Sequence, residues 1–287
     1  MQPSAFDYHR PSTVEEAIGL LSSIEGARAL AGGHSLLPAM KLRLSTPTAL
    51  VDIGRIPGLS GIQSDGDHLT IGALTTHAEV ERSELVKGDC PILAEAAATI
   101  GDHQVRNLGT IGGSLAHADP AADYPTVVTA LGATITATGS GGQREIAASD
   151  FFQGLFATAL EDGELITSVQ VPKLGVGTGG AYVKHRHPAS SYAVVGVAAL
   201  VALADGTCSE VRVSIGGVTA NPVSISGATK ALGGKEPTDD AIAAAAGTVA
   251  DAISDPIGDL YASGEFRVHL AEVLTKRALS AAVDRAG

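Results

Sequence analysis

Cysteine, tryptophan and positive charge are what this chain has least of. Its 287 residues include two cysteines, Cys90 and Cys208, too far apart in sequence for metal-ligand spacing or a disulfide framework. An iron–sulfur cluster held by four thiolates is therefore beyond this chain alone. The two thiols are expected to be reduced packing residues of a cytoplasmic protein. Lys and Arg number 19 against 31 Asp and Glu, a formal net charge of −12. That balance excludes nucleic acid as a partner, because no basic face can neutralise a phosphate backbone. Hydrophobic residues make up 45% of the chain, yet no apolar run is long enough to cross a bilayer. The most apolar stretch, Ala193 to Ala204, is interrupted by Gly196 and reads as a buried strand. Met1 to Asp7 has neither the basic nor the apolar part of a secretory leader, so none is expected. The nine histidines are scattered, and His185-x-His187 has no further ligand at useful spacing, so no metal site is expected. No nucleophile–base pair can be read either, and no catalytic side chain is assigned.

Glycine is plentiful, and two clusters of it organise the rest. The segment Arg106 to Asp123 carries Gly109, Gly112 and Gly113 with small side chains at Ser114 and Ala116. Consecutive glycines let backbone N–H groups turn towards an anion and let a ligand approach the main chain. Pro120 and the apolar run Val127 to Leu131 then predict a helix with proline in its first turn. A glycine turn feeding a helix suits phosphate, although this segment alone reads equally well as a tight turn. The design recurs in Ala29 to Pro38, where a short apolar strand meets Gly32, Gly33 and then Ser35. Two such loops, each with a serine just beyond its glycines, suit one extended anionic molecule such as a dinucleotide.

In chain order, Ser12 to Glu16 predicts a capped helix with Val14, Ala17, Ile18 and Leu21 on its apolar face. Strands are predicted at 28–30, 49–53, 68–72, 133–138 and 164–171. Thr76 to Glu79 caps a short helix, Pro91 opens another, and Ser149 to Phe152 a third. Lys41 and Arg43 read as a solvated pair, with a cationic rim as the alternative. Short helices and strands alternate without long parallel crossovers, which predicts an α+β fold. A boundary falls at 172–180, where Gly175-Val176-Gly177-Thr178-Gly179-Gly180 copies the letters of a dinucleotide fingerprint. That motif needs a helix directly after it, whereas Ala181 to His185 reads as a strand, so an interdomain linker is the better reading. The second half predicts strands at 181–185, 193–203 and 208–216, an Ala-rich helix from Thr238 to Ile253, and a last helix over 264–286. The length has room for two compact domains.

Taken together, Ala31-Gly32-Gly33-His34-Ser35 and Thr110-Ile111-Gly112-Gly113 resemble the paired flavin motifs of the FAD-binding medium subunits of molybdenum hydroxylases, the xanthine dehydrogenase family. The resemblance covers essentially the whole chain. Many relatives have Asn where Ser114 stands, and Ser114 to Asp123 is most similar to the variant in medium chains of the aerobic carbon monoxide dehydrogenase type. It implies a PCMH-type FAD-binding domain over 1–175, with two α+β subdomains at about 1–56 and 57–175. A C-terminal domain of antiparallel sheet with helices, 180–287, is implied to follow. It implies FAD in this chain, held by Ala31, Gly32, Gly33, His34, Ser35, Leu36, Thr110, Ile111, Gly112, Gly113 and Ser114, with Ile166 beside them. Asp123 is implied to accept from ribose or adenine, with helix capping as the alternative for it and for Asp119. Lys184 is implied at the flavin edge. Tyr192 is implied over the flavin ring, an ordinary half-buried tyrosine being the alternative. His34 either contacts the cofactor or points away while its N–H binds. A molybdenum cofactor and [2Fe-2S] clusters are implied only in partner chains, a large and a small subunit, in a dimer of heterotrimers. Electrons would leave to an external acceptor of quinone type, in a cytoplasmic complex that can lie at the inner face of the membrane. Two alternatives remain open: a medium subunit for heterocycle or aldehyde oxidation, and a stand-alone FAD oxidoreductase, which would need a substrate base and a covering domain of its own.

Overall fold

The computed structural model describes residues 2–287. Strands β1 (Asp7–His9), β2 (Ala27–Leu30) and β3 (Ala49–Asp52) form a small parallel sheet in the order β1-β3-β2. Helix α1 (Val14–Ser23) crosses from β1 to β2, and α2 (Leu36–Lys41) from β2 to β3. The crossover helices are short, one of ten residues and one of six, so the parallel unit stays a minor layer of an α+β fold. Thr13 caps α1 by accepting the Glu16 N–H, and Glu16 in turn accepts the Ser12 N–H.

The second unit is built on the antiparallel sheet β4-β5-β10-β6-β7. Its strands are β4 (Ile62–Asp65), β5 (His68–Gly72), β6 (Thr134–Gly139), β7 (Gly142–Ala147) and β10 (Leu165–Pro172). Six helices lie between β5 and β6: α3 (His77–Arg82), α4 (Glu84–Asp89), α5 (Pro91–Thr99), α6 (His103–Arg106), α7 (Ile111–His117) and α8 (Asp123–Leu131). Short α9 (Ala148–Phe151) leads into the small hairpin β8 (Phe152–Gly154) and β9 (Ala157–Thr158). Thr76 and Glu79 form a reciprocal capping box on α3, as the sequence predicts. Leu69, Ile71, Ile92, Leu93, Ile111, Leu115, Tyr124 and Ile135 fill the core beneath these helices.

The third unit is the antiparallel sheet β11 (Thr178–Arg186), β12 (Ala193–Ala204), β13 (Thr207–Gly216) and β14 (Val223–Ser224), in chain order. Its helices are α10 (Ser226–Leu232), α11 (Asp239–Ala246), α12 (Val249–Ala252) and the long α13 (Gly264–Ala286). Strand β12 is buried over Ala193 to Val201 because α13 covers one face and α8 of the second unit packs on the other. A Cβ on Gly179 would collide with the Ala282 carbonyl of α13, so this glycine serves helix–strand packing rather than a linker. The fingerprint-like glycines are indeed followed by a strand.

Three further expectations need correction. Gly112 and Gly113 do not form a turn; they lie in the first turn of α7, capped by the Thr110 hydroxyl. Pro120 does not open a helix, since α8 begins at Asp123 after a turn in which Asp119 accepts the Ala121 N–H. The Ala-rich helix breaks at Gly247 and Thr248, where the Thr248 hydroxyl turns back onto the Ala245 carbonyl. Helix α10 was not foreseen.

Candidate functional site

The carboxyl end of β2 delivers the chain into Ala31 to Ser35 beside the segment that opens α7. Gly32 lies so close to that segment that a Cβ would run into the Leu108 carbonyl and come within 2.9 Å of the Gly109 Cα. Ala31 in turn lies 3.8 Å from where a Gly113 Cβ would stand. The two glycine segments are therefore neighbours, joined edge to edge, although almost 80 residues separate them in sequence.

Their backbone donors differ. Among the described residues the N–H groups of Gly32, Gly33, His34, Ser35 and Leu36 donate to no acceptor of the chain. Gly33, at φ +73°, turns the backbone there, a conformation that favours glycine. The Ser35 side chain caps nothing, and His34 spends Nδ1 on the Gly32 carbonyl at 2.9 Å, leaving its own N–H free. Successive unpaired N–H groups around a left-handed glycine make a concave anion nest.

The second segment has used up its amides. Ile111 donates to Thr75, Gly112 to Ala73 at 2.8 Å, Gly113 to the Thr110 hydroxyl and Ser114 to the Thr110 carbonyl. Gly112 is glycine because a Cβ would lie 2.5 Å from that of Ala73. Only Thr110 keeps an unpaired N–H, in a residue 6% exposed. A buried backbone donor left without a partner is rare and points to a bound group. Neither 29–39 nor 107–123 contains a Lys or Arg, so an anion here would be met by amides and hydroxyls.

The remaining expected residues lie around this nest or behind it. Tyr192, 39% exposed, lies at the foot of β12 with its phenol beside Ser35 and Asp119. Partial burial and then the Asp119 charge push its pKa up, while the neighbouring Ser35 hydroxyl pulls it down. Leu36 is half-buried at the start of α2. Ile166 is buried in the core of the second unit, at a β-bulge of β10. Its neighbour Thr167 accepts from Ala73, whose carbonyl holds Gly112.

Asp123 and Lys184 meet each other. The Lys184 amine lies 2.8 and 2.9 Å from the Asp123 oxygens and 3.1 Å from the Thr99 carbonyl, and Tyr182 donates its hydroxyl to the same carboxylate at 2.5 Å. Both charged side chains are 4% exposed. Burial raises the Asp123 pKa and lowers that of Lys184, and in each case the partner's charge opposes the shift. Asp123 thus ties the start of α8 to β11.

Sequence reasoning missed Tyr182 and His77. His77 packs under Gly109, with Nε2 2.6 Å from where a Cβ would stand, and its ring centroid is 5.2 Å from that of Tyr124. Burial, then the neighbouring His34 and Arg106, lowers its pKa to about 4. Arg106, buried itself, binds Glu81 at 2.8 Å and the Ile100 carbonyl at 3.0 Å, which fixes the approach to Thr110. No local pattern signals such long-range partners.

Comparison with known proteins closes the question of family. Residues 4–174 match the family described as FAD binding domain in molybdopterin dehydrogenase, and residues 180–282 that described as CO dehydrogenase flavoprotein C-terminal domain. The chain belongs to the FAD-binding subunits of the molybdenum hydroxylases. It is 40% identical to the carbon monoxide dehydrogenase medium chain of Hydrogenophaga pseudoflava over 283 residues, 98% of each chain. It is 38% identical to subunit alpha of the 6-hydroxypseudooxynicotine dehydrogenase complex of Paenarthrobacter nicotinovorans, covering 100% of this chain and 97% of that one. The solved carbon monoxide dehydrogenase of Hydrogenophaga pseudoflava that lacks the Mo-pyranopterin moiety superposes with a TM-score of 0.97, at 40% identity over 100% of both chains. For a family member, the amide nest has the donor set that a flavin dinucleotide diphosphate requires, and no helix among the described residues is long and apolar enough to cross a membrane.

Proposed function

We propose that this chain is the FAD-carrying electron-transfer subunit of a molybdenum hydroxylase complex of the aerobic carbon monoxide dehydrogenase type. The observation that carries the reading is the row of unused N–H groups from Gly32 to Leu36, on a segment that Gly32 seats against Leu108 and Gly109, next to the orphan amide of Thr110. Bound FAD supplies the redox chemistry, taking electrons from [2Fe-2S] clusters of a small partner subunit and giving them to an external acceptor. The chain's own residues bind and orient. The amides of 32–36 and Thr110 take the diphosphate, with the Ser35 and Ser114 hydroxyls beside them. Tyr192 walls one side, and Lys184, locked by Asp123, presents a fixed positive charge at the domain seam. Ala31, His34, Ile111, Gly112, Gly113 and Ile166 shape the floor. Residues 1–175 carry this cradle and 180–287 supply the wall.

The substrate belongs to a large partner subunit holding the molybdenum cofactor, within a dimer of heterotrimers in the cytoplasm at the inner face of the membrane. The acceptor is a quinone. A medium subunit for another substrate is the second reading, favoured by the near-equal identity to the 6-hydroxypseudooxynicotine dehydrogenase subunit. The test is direct. The chain should purify yellow with one FAD, and the complex reduced by carbon monoxide should be reoxidised by a quinone analogue faster than by NAD⁺ or oxygen. A colourless chain that takes up no FAD refutes the flavoprotein reading. A flavin that carbon monoxide leaves oxidised but a heterocycle or aldehyde reduces selects the second.

A further inference from the structure

Tyr192 closes the turn that leaves β11 and enters β12, and His187 holds that turn. Its N–H donates to the Tyr192 carbonyl at 2.8 Å, its carbonyl accepts from Ser191 at 2.9 Å, and its Nδ1 accepts from Ala189 at 3.2 Å. Ser191 sits at φ +63°, so the turn is not a conformation it would keep unaided. The ring of His187 then packs on Tyr261, centroids 4.6 Å apart and tilted by 60°.

Tyr261 comes from a distant, irregular segment between α12 and α13, and that segment is nailed down. The Asp259 carboxylate accepts the N–H groups of Tyr261 and Ala262, both at 2.8 Å, and pairs with Arg267 at 2.6 Å. The buried Arg267 guanidinium reaches the carbonyls of Val194 at 3.0 Å and Gly217 at 2.6 Å. Val194 is two residues beyond Tyr192. Ala193 and Gly217 donate in turn to Ala121 and Pro120, the segment that follows the second glycine cluster. Tyr192 therefore has a fixed foot, while the outer part of its turn leans on the His187–Tyr261 ring contact and on the Arg186 guanidinium, which donates to the Ser191 hydroxyl at 2.7 Å. Tyr261 is 45% exposed, more than a core tyrosine needs to be.

We propose that Tyr261, acting through the His187 ring, is a positioning residue that holds the 187–192 turn so that Tyr192 stays against Ser35 as the wall of the flavin site. The inference rests on the cofactor reading above, but its first test does not. Amide exchange of His187 and Ser191 is measured in the full-length chain without FAD. Tyr261→Ala and Tyr261→Leu are each expected to raise exchange by about two- to tenfold, the equilibrium equivalent of one lost aromatic pair, and Tyr261→Phe is expected to leave it unchanged. The second test is flavin fluorescence of the loaded chain. A tyrosine in contact quenches it, so the yield should rise in Tyr261→Ala towards that of Tyr192→Phe and stay low in Tyr261→Phe. Unchanged exchange in both Tyr261→Ala and Tyr261→Leu overturns the clamp, as does wild-type exchange in Tyr261→Leu alone, which would make apolar bulk sufficient. If exchange rises while the chain takes up no FAD, the clamp stands and the cofactor reading falls. If exchange rises and fluorescence does not, the link from turn to flavin wall is wrong.

Discussion

Replacing Lys184 by methionine isolates the buried pair at the domain seam. Methionine keeps the stem's bulk, so the cavity contribution is small. What is lost is the positive charge 2.8 Å from Asp123 and a donor to the Thr99 carbonyl. Asp123 is left 4% exposed with the Tyr182 hydroxyl as its remaining side-chain donor. Breaking a buried pair from one side costs about 3–5 kcal/mol, because the surviving charge stays desolvated. The loss has a pH signature. Without its countercharge the Asp123 pKa, already raised by burial, rises further, so the folded variant binds a proton that the unfolded chain releases. The variant's deficit should therefore shrink as pH falls and grow as pH rises through that folded pKa. Adding Asp123→Asn removes the stranded charge and keeps an acceptor for Tyr182, so the double variant should recover more than half of the loss. Urea unfolding at pH 7.5 and 5.5 reads all of this. A single-variant loss under about 1 kcal/mol, or a double variant as unstable as the sum of the singles, would refute the view that Asp123 is held mainly by Lys184.

Other expectations follow from the same geometry. His77 is held at a pKa of about 4 against 6.5, so the fold excludes its proton; its contribution is complete above pH 6.5 and lost as pH falls towards 4, about 3 kcal/mol in all by linkage. His77→Gln should flatten that part of the stability–pH curve, and an unchanged slope would show that His77 charges freely. Gly32→Ala forces the two glycine segments apart and should abolish FAD content while the far-ultraviolet spectrum stays native. Gly112→Ala, which strikes Ala73 at 2.5 Å, should instead lower the melting temperature whether or not FAD is present. Cys90 and Cys208 are buried, and burial pushes the Cys90 thiol up to about 12; a thiol reagent at pH 8 should find no cysteine in the native chain and two in denaturant.

Much of this was legible because it is local. The Thr76–Glu79 box, the apolar run of β12 and the strand after the Gly175 to Gly180 letters each follow from neighbours in sequence. The glycine clusters were legible as a place but not as a mechanism. Gly112 and Gly113 look like amide donors on paper, yet their amides go to Ala73 and Thr110 because α7 starts there and packs on β5's exit. Whether a glycine frees a donor or admits a neighbour depends on what lies across from it, and Ala73 is 39 residues away. The Asp123–Lys184–Tyr182 cluster was invisible for the same reason. Its three members sit on α8 and β11, and only the packing of one unit on the next brings them together.

Residue-resolved amide exchange with and without FAD tests the division between the two glycine segments most directly. Gly32 to Leu36 and Thr110 should gain strong protection when FAD binds, while Gly112 and Gly113, bonded already, should exchange slowly in both states. Protection gained at Gly112 and Gly113 with none at Gly32 to Leu36 would contradict it.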